Sequence, residues 1–103
     1  MAQIIRGTTP TIVYKFHVVD VEDITNAVLT IKQCGGIVIE KGIAESIAGE
    51  DDLSWVLSQE ESLSLKCGKC FFMLNWLTSD GTRGASKEVA IDIIQNQKNE
   101  VIV

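Results

Sequence analysis

Apolar and polar residues alternate with a period of two along most of this chain, and that period, rather than the helical 3.6, predicts its elements. Over residues 11–19 ("TIVYKFHVV"), Ile12, Tyr14, Phe16 and Val18 fall on one side and Val13, Lys15, His17 and Val19 on the other. This is the pattern of a half-buried strand, and Pro10 stands just before it, where a missing N–H does little harm. Residues 26–33 set Ala27, Leu29 and Ile31 against Val28, Thr30 and Lys32. Gly35 and Gly36 then offer the positive φ of a tight turn, and residues 37–41 return as the second arm of a hairpin. Leu53, Trp55 and Leu57 alternate in a further short strand. The two strongest β-rich runs, 70–77 and 86–94, are joined by "TSDGTRG", whose Asp80-Gly81 pair suits a hairpin loop. In the returning run Val89, Ile91 and Ile93 alternate with Glu88, Ala90 and Asp92. Helix is confined to one turn, at Ser58-Gln59-Glu60-Glu61, which matches a capping box. Residues 42–52, with two glycines and an acidic end, read as a loop.

These six strands, with a seventh if residues 2–7 ("AQIIRG") pair at an edge, predict an all-β fold. The expected architecture is an antiparallel β-sandwich, immunoglobulin-like, with residues 1–103 forming a single domain. Composition narrows the partners. A 103-residue chain that is 46% hydrophobic can bury one core. Its net charge of -5 is the wrong sign for phosphate backbones, so nucleic acid is not an expected partner. No apolar run approaches the ~20 residues that cross a bilayer, so no membrane partner is expected. The opening "MAQIIRGTTP" lacks the charged start and apolar stretch of a secretory signal. The expectation is a protein made in the cytoplasm with its three cysteines reduced.

Candidate chemistry is sparse. Cys67-Gly68-Lys69-Cys70 is a C-x-x-C pair, but four zinc ligands are reached only by adding Cys34 and His17, the last expected mid-strand. A redox pair would open a helix, and here a strand follows. The simpler reading makes Cys70 a small core residue in line with Phe72, Leu74 and Trp76, with Cys67 in the preceding turn. Glu50, Asp51 and Asp52 lack the spacing of a calcium loop and read as a solvated charge run. A single histidine leaves few nucleophile-base pairs, so no catalytic residue, no metal and no cofactor is assigned, and the protein is not expected to be an enzyme.

One face is unusual. If Phe72, Leu74 and Trp76 point inward, Phe71 and Met73 point outward, with Ala90 and Ile94 on the same outer face of the neighbouring strand. A solvated sheet face is usually polar. Either the chain's first residues or residues 42–52 cover this patch, or it is an interface, and a homo-oligomer is the expected form.

At "RGTTPTIVYKF", "LSWVLSQEESLSL" and "MLNWLTSDGTRGASKEVAIDI" the sequence resembles small virion structural proteins of phages and prophages of Gram-positive bacteria, in particular the N-terminal domain of phage baseplate upper proteins. That resemblance implies a non-enzymatic particle component acting through contacts with other virion structural proteins in a baseplate, tail or head. The alternative is a ligand- or glycan-binding β-sandwich module.

Overall fold

Residues that alternate in the sequence alternate in burial. In β3 (Ile24–Gln33), Ala27, Leu29 and Ile31 are buried while Asn26 and Lys32 are exposed. In β7 (Gly68–Thr78), Cys70, Phe72 and Leu74 are buried while Phe71, Met73 and Asn75 are partly open. The computed structural model describes residues 3–17 and 19–103, so the expectations for Ala2 and Val18 lie outside the described residues.

The remaining elements are β1 (Gln3–Ile5), β2 (Thr11–Lys15), β4 (Gly36–Gly42), β5 (Ile47–Ala48), β6 (Asp52–Val56), α1 (Gln59–Leu63), β8 (Arg83–Ala85) and β9 (Val89–Ile94). They form two sheets, one ordered β1-β9-β7-β3-β4 with β8 paired to β7, the other β2-β6-β5. The architecture is an all-β sandwich of immunoglobulin-like topology. The residues between the layers include Leu53, Trp55 and Leu57 from the small sheet and Ile31, Cys70 and Phe72 from the large one. An aromatic trio joins the layers: Phe16 lies 4.8 Å from Tyr14 and 5.0 Å from Trp76, both edge to face.

Four details depart from the alternation. The large sheet is mixed rather than wholly antiparallel, because β1 runs parallel to β9, with Ile4 opposite Ile93. The chain crosses between sheets after β1, so β1 and β2 are not hairpin partners and β1 is free to take that direction. The strand predicted over 11–19 stops at Lys15, opposite Asp52, and Val19 packs on the core instead of facing solvent. The hairpin loop is Cys34-Gly35, with φ of 55° and 79°, while Gly36 already pairs with Gln33. Residues 42–52 contain a 3-10 turn (Ile43–Glu45) and β5, and the loop after β7 contains β8, short pieces that pair with the strand next to them in the chain, β5 with β6 and β8 with β7.

The capping box at α1 is formed as predicted: Ser58 Oγ accepts the Glu61 N–H at 3.1 Å and Glu61 Oε1 accepts the Ser58 N–H at 2.8 Å. At the other end of the molecule Asp80 accepts hydrogen bonds from the Thr78 hydroxyl and the Thr82 N–H, which hold its carboxyl below its ordinary range.

Candidate functional site: a groove on the outer face of the large sheet

Strand register assembles a groove that no single segment encodes. On the outer face Asn75 stands between Val28 of β3 and Ala85 of β8, and Leu77 between Asn26 and Arg83. One row further, Met73 faces Thr30, which faces Glu40 of β4. The result is an open groove of about 380 Å³. Val28 and Leu77 give it an apolar floor, and Asn26, Thr30, Glu40, Asn75 and Arg83 give it polar walls.

Hydrogen bonds orient part of this wall. Arg83 Nη2 donates to Asn75 Oδ1 at 3.1 Å, and Asn26 Oδ1 accepts the Ala27 N–H at 2.9 Å. Both amide oxygens are engaged, so both Nδ2 groups remain as donors. Glu40 and Arg83 lie on β4 and β8, at opposite corners of the groove. Gly84 is required beneath it: a Cβ there would sit 2.4 Å from Trp76 Cε2. Tyr14 and Phe16 hold that indole from the other side, so it has little room to yield.

The candidate interface residues are placed as the alternation predicts. Phe71 and Met73 lie half-buried on this outer face, with Ala90 directly across from Phe71. Ile94 stands apart from them, beyond the row of Lys69 and Asp92, next to Ile5 of β1. Among the described residues neither β1 nor β5 overlies the patch, since β1 extends the same sheet and β5 belongs to the other.

The cysteines do not converge. Cys70 is 0% exposed in the core, where burial and then the charge of Asp92 push its thiol up to about 11. Cys34 and Cys67 are exposed, and His17 lies beyond the end of β2. Among the described residues no group of three or more His, Cys, Asp or Glu side chains could hold a metal ion. No helix among the described residues is long and apolar enough to cross a membrane.

No protein family and no curated protein matches the sequence. CopC from Methylosinus trichosporium OB3b is similar in structure, with a TM-score of 0.61 over 94% of this chain and 86% of that chain at 12% identity. The likeness is one of fold. It corrects the resemblance to baseplate upper proteins, because the same sandwich is built by CopC, which is not a virion component. The expectations of a phage or prophage particle protein and of a virion location fall with it. The segments that carried the resemblance are structural punctuation. Gly7 is a positive-φ turn between sheets, Ser58 and Glu61 cap α1, and Asp80 and Gly81 close the β7 loop.

Missing from the sequence-based candidates were Asn26, Thr30, Glu40, Asn75 and Arg83. Alternation marks Asn26, Thr30 and Asn75 as outward-facing, but nothing local marks them as neighbours. Arg83 falls in "TSDGTRG", whose local pattern is that of a turn.

Proposed function

We propose that the protein is a non-enzymatic binding module whose outer groove receives a small hydroxyl-rich ligand such as a glycan unit. The observation that carries this is the lining: carboxylate, guanidinium, hydroxyl and two amide donors arranged over Val28 and Leu77. Hydroxyl groups both donate and accept, so they suit a wall of mixed polarity, while the apolar face of a sugar ring suits the floor. The volume falls within the range of ligand clefts. Saturation-transfer NMR against a panel of mono- and disaccharides tests the reading. A saturable signal that Arg83→Ala weakens by roughly tenfold supports it, the scale expected for losing a charge-assisted hydrogen bond. Silence across the panel at millimolar sugar removes the glycan from the proposal.

A second reading rests on the half-buried Phe71, Met73 and Ala90 beside the groove, which suit self-association through this face. Light scattering on Phe71→Ser combined with Met73→Ser decides it: a folded double variant of unchanged mass excludes this contact.

A further inference from the structure

The small sheet ends on β2, and the chain carries an unused segment that fits the open edge. Leu57 N–H donates to the Pro10 carbonyl and Phe16 N–H to the Asp51 carbonyl, so even-numbered residues here turn their backbone groups toward β6. Thr11, Val13 and Lys15 therefore turn theirs outward, and no hydrogen bond to those groups is made among the described residues outside the ladder. The edge is regular, unlike that of β4, whose pairing with β3 is interrupted by an irregularity at Ile31 and Lys32. Val13 is 56% exposed on the outer side, in the same row as Ile47 at 63%. On the inner side Ile12 and Tyr14 pack on the core but are only half-buried. Such an edge is a template for another strand.

Residues 100–103, Glu-Val-Ile-Val, have the composition of a strand, and Ile102 is 67% exposed. In its own copy this segment rests on α1 rather than on β2. Ile102 N–H donates to Gln59 Oε1 at 2.8 Å and its carbonyl accepts from Gln59 Nε2 at 3.1 Å. One side-chain amide thus holds both backbone groups of a single residue, as a neighbouring strand would.

We propose that residues 100–103 of one copy add to the β2 edge of a second copy as an antiparallel strand. With Ile102 opposite Val13, both residues turn their N–H and carbonyl into the new ladder, and Val13 replaces the Gln59 amide. The same register places Glu100 opposite Lys15, an attractive cross-strand pair. It also places Val101 and Val103 opposite Tyr14 and Ile12, where they close the open side of the core. Among the described residues Glu100 is held by Lys98 at 3.4 Å, an exposed pair that offers little resistance. The contact joins two different surfaces, so it closes as a reciprocal pair or extends as a chain of copies.

Light scattering with amide hydrogen exchange at several concentrations tests the proposal. The expected result is a mass that rises with concentration while the Val13 and Lys15 amides gain protection, and a chain ending at Asn99 that stays monomeric. Lys15→Glu and Glu100→Lys, both on exposed side chains, should each weaken association by roughly tenfold. An equimolar mixture of the two variants should recover it, because an altered edge then meets an altered segment. Gln59→Ala should strengthen association by freeing the segment. Equal association of the shortened chain, or no recovery in the mixture, would overturn the proposal. So would protection of Val13 in a monomer at every concentration, which would assign the edge to the segment of the same copy, or an unprotected Val13 in a monomer up to millimolar protein.

Discussion

Cys34 occupies a left-handed backbone conformation, φ 55°, at the first loop position of the β3–β4 hairpin, where asparagine or glycine is the usual occupant. A side chain other than these costs roughly 1–2 kcal/mol there. Cys34→Asn is therefore expected to raise unfolding stability by about 1 kcal/mol, read as a shift in the urea midpoint at constant slope. The three thiols should also separate kinetically. Exposed Cys34 and Cys67 are expected to react with an alkylating reagent in the native protein, whereas Cys70, buried and with its thiol pushed up to about 11, should react only on unfolding. Mass spectrometry of a timed reaction checks this: early labelling of Cys70 would contradict its place in the core. That core role was legible beforehand, because Cys70 keeps step with Phe72, Leu74 and Trp76. The conformation of Cys34 was not, since which two of three consecutive turn residues form the loop depends on where β4 begins to pair.

At the scale of the element, α1 is too short to persist by itself and is held by one carboxylate with two duties. Glu61 Oε1 caps the Ser58 N–H and also accepts from Lys41 Nζ at 2.7 Å, while the same ammonium reaches the Val56 carbonyl at 3.2 Å. Burial pushes the Glu61 carboxyl up, but the Lys41 hydrogen bond, the Ser58 N–H and the charge of Lys41 outweigh it and leave it below its ordinary 4.5. A carboxylate favoured in the folded state contributes stability that is fully present above pH 4.5 and lost as pH falls through the lower folded value. The stability difference between wild type and Glu61→Gln should thus be constant near neutral pH and shrink below 4.5, measured by urea titration at stepped pH. Growth of the difference toward acid pH would show that the folded carboxyl is not favoured. The capping box was readable from four consecutive residues. Its pairing with Lys41 was not: alternation sets Lys41 on the side of Ile39, but nothing local shows that Glu61 of a separate element meets it there.

Across the whole molecule the two sheets are fastened where Trp76 lies between Tyr14, Phe16 and the backbone of Gly84. Gly84→Ala forces a methyl group to within 2.5 Å of the indole nitrogen and should cost about 1–3 kcal/mol as an overpacked contact. Urea unfolding followed by tryptophan fluorescence checks the loss. An unchanged midpoint would mean that the ring has room to move. The sandwich was legible at this scale because burial on alternate residues is a local pattern repeated along β3, β7 and β9. The groove was not, since Asn26, Glu40, Asn75 and Arg83 come from four strands that meet only through register.

The parallel pairing of β1 with β9 sets an order of events during synthesis. Ile4 has no partner until Ile93 has left the ribosome, and the Arg6 carbonyl waits for Asn96, whose amide reaches it at 2.9 Å. The hairpin of β3 and β4 needs only neighbours and can form early, whereas β1, translated well before β9, is among the last strands to dock. Until then an aliphatic stretch stays available to chaperones, and a ribosome stalled before β9 would hold a sandwich with one margin unsealed.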